Sequence, residues 1–471
     1  GIGCRSGIEE RYGDGMGHPQ GWIASSVAEG VDLMVDVAPG YDFGIEKELN
    51  NAFNADWLRE QAKITGVVKR ERKIDPVAIF WVLVLGFGVE LQRNLANLKR
   101  IYSKRTGENV SDSSWYDRFS PELVKFMKAS VIHGLEYLAQ GPHRKLAPRL
   151  EQFKDVVIQD STIIRVHEVF AKTWPATRSR KVAAGVKVGM LVSAVSNGPK
   201  NVMITAENTN EIKTLKIGPW VRDRVLLMDL GFFKYQLFAR IMENGGFFVS
   251  RLKDNAEPWI ISSNNVCRGN SIDVVGKSLS EVIPRLQRQI IDVQVEVDFK
   301  RRKYNGSRSG DKVEFRMVGI YNEDEDKYHL YITNIPVETL SAEDVAAVYG
   351  ARWEIELIFK ELKSKYSLDV IKTQNKMVVE ALIWTAILTL LVSRIIYHVI
   401  RKRALDAGKD VTRLTPLRWS TVFADNARDH LHVLLHYLGI GMDPYDFYLI
   451  YESQAFDPHV NRKRLRDDLW A

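Results

Sequence analysis

The apolar residues of this chain change their spacing three times along its length, and no all-helical or all-β fold can satisfy that pattern. From about 46 to 145 the spacing is helical. Pro76–Leu98 reads as one apolar helix, and Pro121–Leu138 repeats apolar residues at helical intervals. Short buried-strand runs follow: Val156-Val157-Ile158, then Val186–Val195 closed by the turn Ser196-Asn197-Gly198-Pro199, then Val202–Thr205. A helical connection leads to the strand Val225-Leu226-Leu227-Met228. Phe233–Glu243 reads as a helix stopped by Asn244-Gly245-Gly246, and Phe247–Leu252 as another strand. Next comes a two-residue alternation in Ile291, Val293, Val295, Val297 and Phe299, repeated in Val313, Phe315 and Met317, with Tyr328–Ile332 as a third strand. After Ser341, which with Asp344 has the spacing of a capping pair, helices run to the end. The pattern predicts an α/β fold: a mixed sheet flanked by helices, interrupted by a β-strand insertion domain, with helical N- and C-terminal regions.

The expected divisions are a poorly ordered Gly-rich leader at 1–45, a helical domain at 46–145, the first part of the sheet core at 146–252, the β-strand insertion at 253–340, the last part of the core at 341–400, and a helical region at 401–471. A length of 471 residues suits several domains, and 45% hydrophobic with 27% charged residues excludes wholesale disorder. Two distant cysteines, Cys4 and Cys267, exclude a disulfide framework or a Cys-rich zinc module and suit a reducing compartment. The net charge of +7 is compatible with a polyanionic partner, though many basic proteins have none. The longest uncharged apolar run, Pro76 to Val89, contains Gly86 and Gly88 and falls short of the roughly 18–20 residues a spanning helix needs. Ala381–Ser393 is shorter still, bounded by Glu380 and Arg394. Both read as buried helices, so no membrane segment is expected, and no signal peptide is visible. There is no P-loop pattern, and Gly13-x-Gly15-x-Gly17 follows no strand, so no nucleotide cofactor is expected.

Two aspartates sit at the ends of apolar strands. Asp160 ends the strand Val156–Gln159, and Asp229 ends Val225–Met228. A carboxylate there lies at the carboxyl edge of a sheet, where α/β ligand sites gather; a turn-forming or helix-capping Asp is the plain alternative. A third acidic residue belongs to a row. Tyr349, Arg352, Glu356, Lys360 and Lys363 are spaced 3, 4, 4 and 3 apart, so on one helix they share a narrow face. Ile355, Ile358, Phe359 and Leu362 form the neighbouring apolar face. A solvated face with a Glu356–Lys360 pair is the alternative here. Three carboxylates with basic companions suit hard cations such as Mg²⁺, which choose carboxylate oxygens and keep positions open for phosphate. Two ions roughly 3.5–4 Å apart can activate water or a 3′-hydroxyl and stabilise the leaving oxygen. Lys, Arg and Tyr would hold neighbouring phosphates.

These residues resemble a known family. Tyr349-x2-Arg352-x3-Glu356-x6-Lys363 is similar to the Tyr-Arg-Glu-Lys signature of a branch of DDE insertion-sequence transposases, and Asp160-Ser161-Thr162 and Asp229-Leu230-Gly231-Phe232-Phe233 resemble the contexts of that family's two aspartates. The 127-residue gap from Asp229 to Glu356 matches members carrying a β-strand domain before the catalytic Glu. The resemblance spans about 150–400. It implies an RNase H-like core and cut-and-paste transposition through a hairpin, with Asp160, Asp229 and Glu356 as catalytic residues binding two Mg²⁺, for which Mn²⁺ can substitute. Tyr349, Arg352, Lys360 and Lys363 would grip end phosphates. Family members stack a flipped base on an aromatic side chain, which makes Trp259 a candidate; a core or surface Trp is the alternative. The implied partners are double-stranded DNA, as terminal inverted repeats and target, and a second copy of the chain in the synaptic complex. The implied setting is the cytoplasm of a prokaryote, at the nucleoid. Repeat recognition by 46–145 follows from position and charge, and a helix-turn-helix or a packing subdomain would both fit. The clusters Arg401-Lys402-Arg403 and Arg462-Lys463-Arg464 with Arg466 are solvated faces, DNA contacts or dimer contacts. His430, His432 and His436 on one helical stretch read as structural rather than zinc ligands. A nuclease that does not join strands and a non-catalytic DNA-binding derivative are the rival functions.

Overall fold

The computed structural model describes residues 42–68, 74–86, 94–141, 145–177, 183–267, 270–271, 273–301, 309–366, 368 and 371–440. The leader up to Tyr41 with its glycine triplet, Arg302 and Lys303, and the cluster from Arg462 to Arg466 lie outside the described residues.

Among the described residues six α-helices come first: α1 (Gly44–Ala52), α2 (Ala55–Thr65), α3 (Pro76–Trp81), α4 (Leu95–Thr106), α5 (Asp112–Tyr116) and α6 (Pro121–Gln140). All but α1, which follows Phe43, start behind a short polar side chain. The Asn54 carboxamide oxygen accepts the Asp56 and Trp57 N–H groups, and Asp75 accepts those of Val77 and Ala78 with Pro76 in the first turn. The single helix expected over Pro76–Leu98 is not observed. α3 widens into a π-helical turn at Val82–Gly86, and α4 begins afresh behind the Asn94 cap. The partner that takes up the altered backbone lies far away in sequence: the Thr389 hydroxyl donates to the Val84 carbonyl at 2.7 Å.

The strands are β1 (Asp155–Arg165), β2 (Gly185–Ser193), β3 (Gly198–Ala206), β4 (Arg224–Met228), β5 (Phe247–Arg251) and β6 (Trp259–Ser263), with α7 (Tyr235–Glu243) between β4 and β5. A two-stranded ribbon, β7 (Val266–Cys267) with β8 (Asn270–Ser271), and a short α8 (Leu279–Val282) precede β9 (Ile290–Lys300), β10 (Gly310–Asn322) and β11 (Lys327–Thr333). The chain closes with α9 (Ala342–Gly350), α10 (Trp353–Ser364), α11 (Lys376–Asp406) and α12 (Pro416–Tyr437). α7 stops where expected: Asn244 is its cap, and Gly245 takes φ +73°, a conformation that costs a residue without Cβ little. The connection from β3 to β4 is two 3-10 turns, Glu211–Thr214 and Pro219–Val221, rather than a helix.

Nine strands form one mixed sheet in the order β3-β2-β1-β4-β5-β11-β10-β9-β6, in which β1, β4 and β5 run parallel and the other pairings are antiparallel. The alternating strands of the 253–340 stretch are therefore bonded into the core sheet, with Tyr331 of β11 opposite Arg251 of β5. That pairing uses backbone groups which a bare β5 edge would leave open.

Strand alternation sorts the side chains into two cores. Val156, Ile158, Val225 and Leu227 face a core shared with α1–α4, α6 and α9–α12; Val157, Leu226, Met228 and Phe248 face one shared with α7. α11 is longer than the run Ala381–Ser393 suggested. Over its 31 residues it is long and apolar enough to cross a membrane, yet 94% of its most apolar window is buried within the protein. α6 crosses it closely at Gly134, where a Cβ would meet the Phe53 ring at 2.8 Å and Leu391 at 3.0 Å.

Candidate active site

Asp160 does not end its strand. β1 continues to Arg165 because β2 pairs with it throughout, Asp160 opposite Met190. What ends beside Asp160 is the other neighbour: the parallel β1–β4 register closes at Gln159 opposite Met228, and Asp229 follows as the next residue of the chain. Both aspartates continue the alternation of Val156, Ile158 and of Val225, Leu227, so both belong to the face on which α10 packs. The Asp229 side chain makes no capping bond to the turn it opens, Leu230–Phe232. The helix-cap alternative is thus not realised there.

The predicted row does not lie on one helix. α9 ends at Gly350, and α10 starts at Trp353 with Arg352 as its cap residue. Ala351 and Arg352 keep near-helical dihedrals, so the chain jogs rather than turns away. The jog leaves Tyr349 buried, its ring 5.3 Å from that of Tyr331 and 5.9 Å from the Arg352 guanidinium. Burial pushes its hydroxyl up to about 12. The other four residues of the row keep a common side. Arg352, Glu356, Lys360 and Lys363 line one open pocket of about 560 Å³ together with Asp160, Asp229, Ser161, Thr162, Phe359 and Ser364.

Inside it Arg352 is the organising cation. Its Nη2 donates to Glu356 Oε1 at 2.6 Å, and its Nη1 lies 3.4 Å from Asp160 Oδ2. Glu356 therefore pairs with Arg352, not with Lys360. Asp160 Oδ1 accepts the Ser161 N–H at 2.7 Å. Burial, helped by the charges of Asp229 and Glu211, pushes the Asp160 carboxyl up to about 6, against the pull of that hydrogen bond and of Arg352. Burial draws Arg352 down, but Glu356 and its other acidic neighbours outweigh it, so its pKa is raised.

The family model for the transposase DDE domain matches residues 151–392, a little over half of the chain. The chain belongs to the DDE transposases. Among similar proteins, the transposase of insertion sequence element IS1151 from Clostridium perfringens is 22% identical over 70% of this chain and 75% of its own length. That of IS231B from Bacillus thuringiensis subsp. berliner is 22% identical over 68% and 73%. A putative transposase of IS4SA from Synechocystis is 27% identical over 45% and 50%. This transposase is thus an enzyme of metal-dependent DNA cleavage and strand transfer, and its mixed sheet with flanking helices agrees with the RNase H-like core expected of a DDE domain.

DDE domains use divalent cations, and the donor chemistry of the pocket fits them. Three carboxylates face it, and a cationic guanidinium is already drawn between two of them. As the side chains stand, no three His, Cys, Asp or Glu groups among the described residues are close enough to share an ion.

Trp259 of this transposase is not on that pocket. It begins β6, is 49% exposed, and lines a second cleft with Phe233, Tyr235, Asn255, Glu296, Asp298 and Lys312. His430 accepts or donates a hydrogen bond with the buried Glu46 at 2.9 Å, and His432 is half-buried on α12. Both belong to packing surfaces. Two features of the site had no signal in the sequence. Glu211, from a short turn, accepts the Ser161 hydroxyl at 2.8 Å. Glu361, on the buried side of α10, is held by Arg394, with Nη2 to Oε2 at 2.6 Å. Neither belongs to a periodic pattern or a motif.

Proposed function

We propose that this transposase moves its element by cut-and-paste, with Asp160, Asp229 and Glu356 holding two Mg²⁺, for which Mn²⁺ substitutes. The observation that carries the reading is that these three carboxylates, from distant stretches of chain, line one open pocket with Arg352, Lys360 and Lys363. Bound cations would supply Lewis-acid activation of the attacking oxygen and neutralise the leaving one. The residues do the rest. Lys360 and Lys363, on the pocket's rim, bind phosphates on either side of the scissile bond by charge-assisted contacts. Arg352 leaves Asp160 and Glu356 for a terminal phosphate. The buried Tyr349 backs Arg352 through its ring.

The bond chemistry is a series of in-line displacements at phosphorus. Water cuts one strand and leaves a 3′-hydroxyl. That hydroxyl attacks the opposite strand to close a hairpin, water reopens the hairpin, and the 3′-hydroxyl joins target DNA. Trp259, exposed beside Phe233 and Tyr235, offers an aromatic face for a base unstacked at the hairpin. In this reading residues 46–145 bind the terminal inverted repeats, residues 401–471 contact DNA or the second protomer, and a homodimer pairs two ends at the prokaryotic nucleoid.

Glu356→Gln tests the assignment. An amide is a poor ligand for a hard cation, so the variant binds a terminal-repeat duplex normally and loses Mg²⁺- or Mn²⁺-dependent cleavage by at least about a hundredfold, the scale of one catalytic electrostatic group. Undiminished cleavage by the variant would remove Glu356 from the site. A strand-joining assay on the same substrate separates transposition from nicking alone.

A further inference from the structure

We infer that Glu211 is a positioning residue that sets the separation of the Asp160 and Asp229 segments from the opposite face of the sheet. The inference rests on the reading that those two aspartates hold the cations. Asp160 and its alternation partners face α10; Ser161 borders the same pocket, but by strand alternation its hydroxyl is directed to the other face of the sheet. There Glu211, first residue of the 3-10 turn Glu211–Thr214, accepts the Ser161 hydroxyl through Oε1 at 2.8 Å. The same oxygen lies 3.9 Å from Nζ of Lys187, a nearly buried side chain of β2 that also donates to the Thr209 carbonyl at 2.7 Å.

The second oxygen faces the other aspartate's segment. A Cβ added at Gly231, two residues after Asp229, would fall 1.9 Å from Glu211 Oε2. Gly231 has no positive φ, so what a side chain there would meet is the end of Glu211 and not backbone strain. One carboxylate thus touches the residue beside Asp160 with one oxygen and the turn that carries Asp229 with the other. Asp160 and Asp229 come from strands whose mutual ladder has just ended at Gln159 and Met228, so no backbone bond between β1 and β4 fixes their spacing beyond that point. Glu211 is placed to do so, much as outer residues orient metal-binding ones in other sites.

The test is Mn²⁺ binding to the full chain, followed by the electron paramagnetic resonance of free Mn²⁺, with thermal melting as a check on folding. Glu211→Ala and Ser161→Ala, which remove the same hydrogen bond from its two ends, each weaken binding by about tenfold or more at an unchanged melting temperature. Glu211→Gln keeps an acceptor for Ser161 and binds close to wild type. Gly231→Ala, which drives a methyl group into Oε2, weakens binding as Glu211→Ala does. Wild-type affinity in Glu211→Ala and Ser161→Ala overturns the inference. So does a Glu211→Gln variant as weak as Glu211→Ala, since charge and not contact would then be acting. If Glu211→Ala fails to fold, Ser161→Ala decides alone. Asp160→Ala is the separate control: a variant that binds as well as wild type overturns the underlying metal assignment, and this inference with it.

Discussion

Lys363 and Glu356 stand seven residues apart on α10, two turns of one face, and that spacing alone was enough to bring them to one pocket. Residues on a regular element are legible because the element's geometry carries them; Asp229, next after the apolar run Val225–Met228, was legible for the same reason. Glu211 was not. Its meaning lies in Ser161 and Gly231, which approach it only through the tertiary fold. Lys363→Ala should lose one phosphate contact, so its DNA affinity falls and the slope of log affinity against log salt becomes shallower by about one. An unchanged slope in a salt titration would deny it that contact. A residue outside the pocket gives the pH prediction. Asp155 is buried at the start of β1, and burial raises its pKa above 3.8 despite bonds from the Ser193 hydroxyl at 2.7 Å and the Val195 N–H at 3.2 Å. A raised carboxyl favours the folded state below its unfolded value and loses that contribution as pH climbs through its folded one. Asp155→Asn keeps an acceptor for Val195 and is neutral throughout. Its melting temperature relative to wild type should therefore rise between pH 4 and pH 8. A flat or falling difference would contradict the burial argument.

At the scale of elements, the sequence separated helices from strands well and misjudged continuity. The jog between α9 and α10 and the π turn after α3 both fall inside unbroken apolar periodicity. What decides them is supplied from elsewhere, such as the Thr389 hydroxyl on the Val84 carbonyl. α10 also has an anchor that periodicity could not reveal. Glu361 receives two bonds from Arg394 of α11 and one from the Tyr366 hydroxyl, whose oxygen lies 2.8 Å from the Ser393 hydroxyl; Trp419 of α12 donates to Ser393 in turn. Every member is buried, so this network fixes the helix that carries Glu356. Arg394→Met strands a buried carboxylate and should cost about 3–5 kcal/mol in denaturant unfolding. Adding Glu361→Leu should recover most of that loss. A double variant no better than the single one would show that the charges are not what matters.

For the molecule as a whole, the α/β class and the helical flanks were legible from period changes alone. The joining of the later strands to the core sheet was not, because pairing between β5 and β11 links residues about eighty apart with no local sign. The N-terminal helices likewise share a core with α11 and α12. Gly134 is a point of close approach within that union. Gly134→Val should overpack Phe53 and Leu391, costing about 1–3 kcal/mol as read from the unfolding midpoint. Unchanged stability would mean that α6 and α11 can part without cost. The position of α11 in the chain has a further consequence for synthesis on the ribosome, which releases the N-terminal end first. α1 and α6, both packed on this helix, are made before it. A segment greasy enough for a bilayer thus leaves the exit tunnel when much of its protein sheath, all but α12, is already translated, and the order of the reading frame itself helps to shield the newborn chain from clumping.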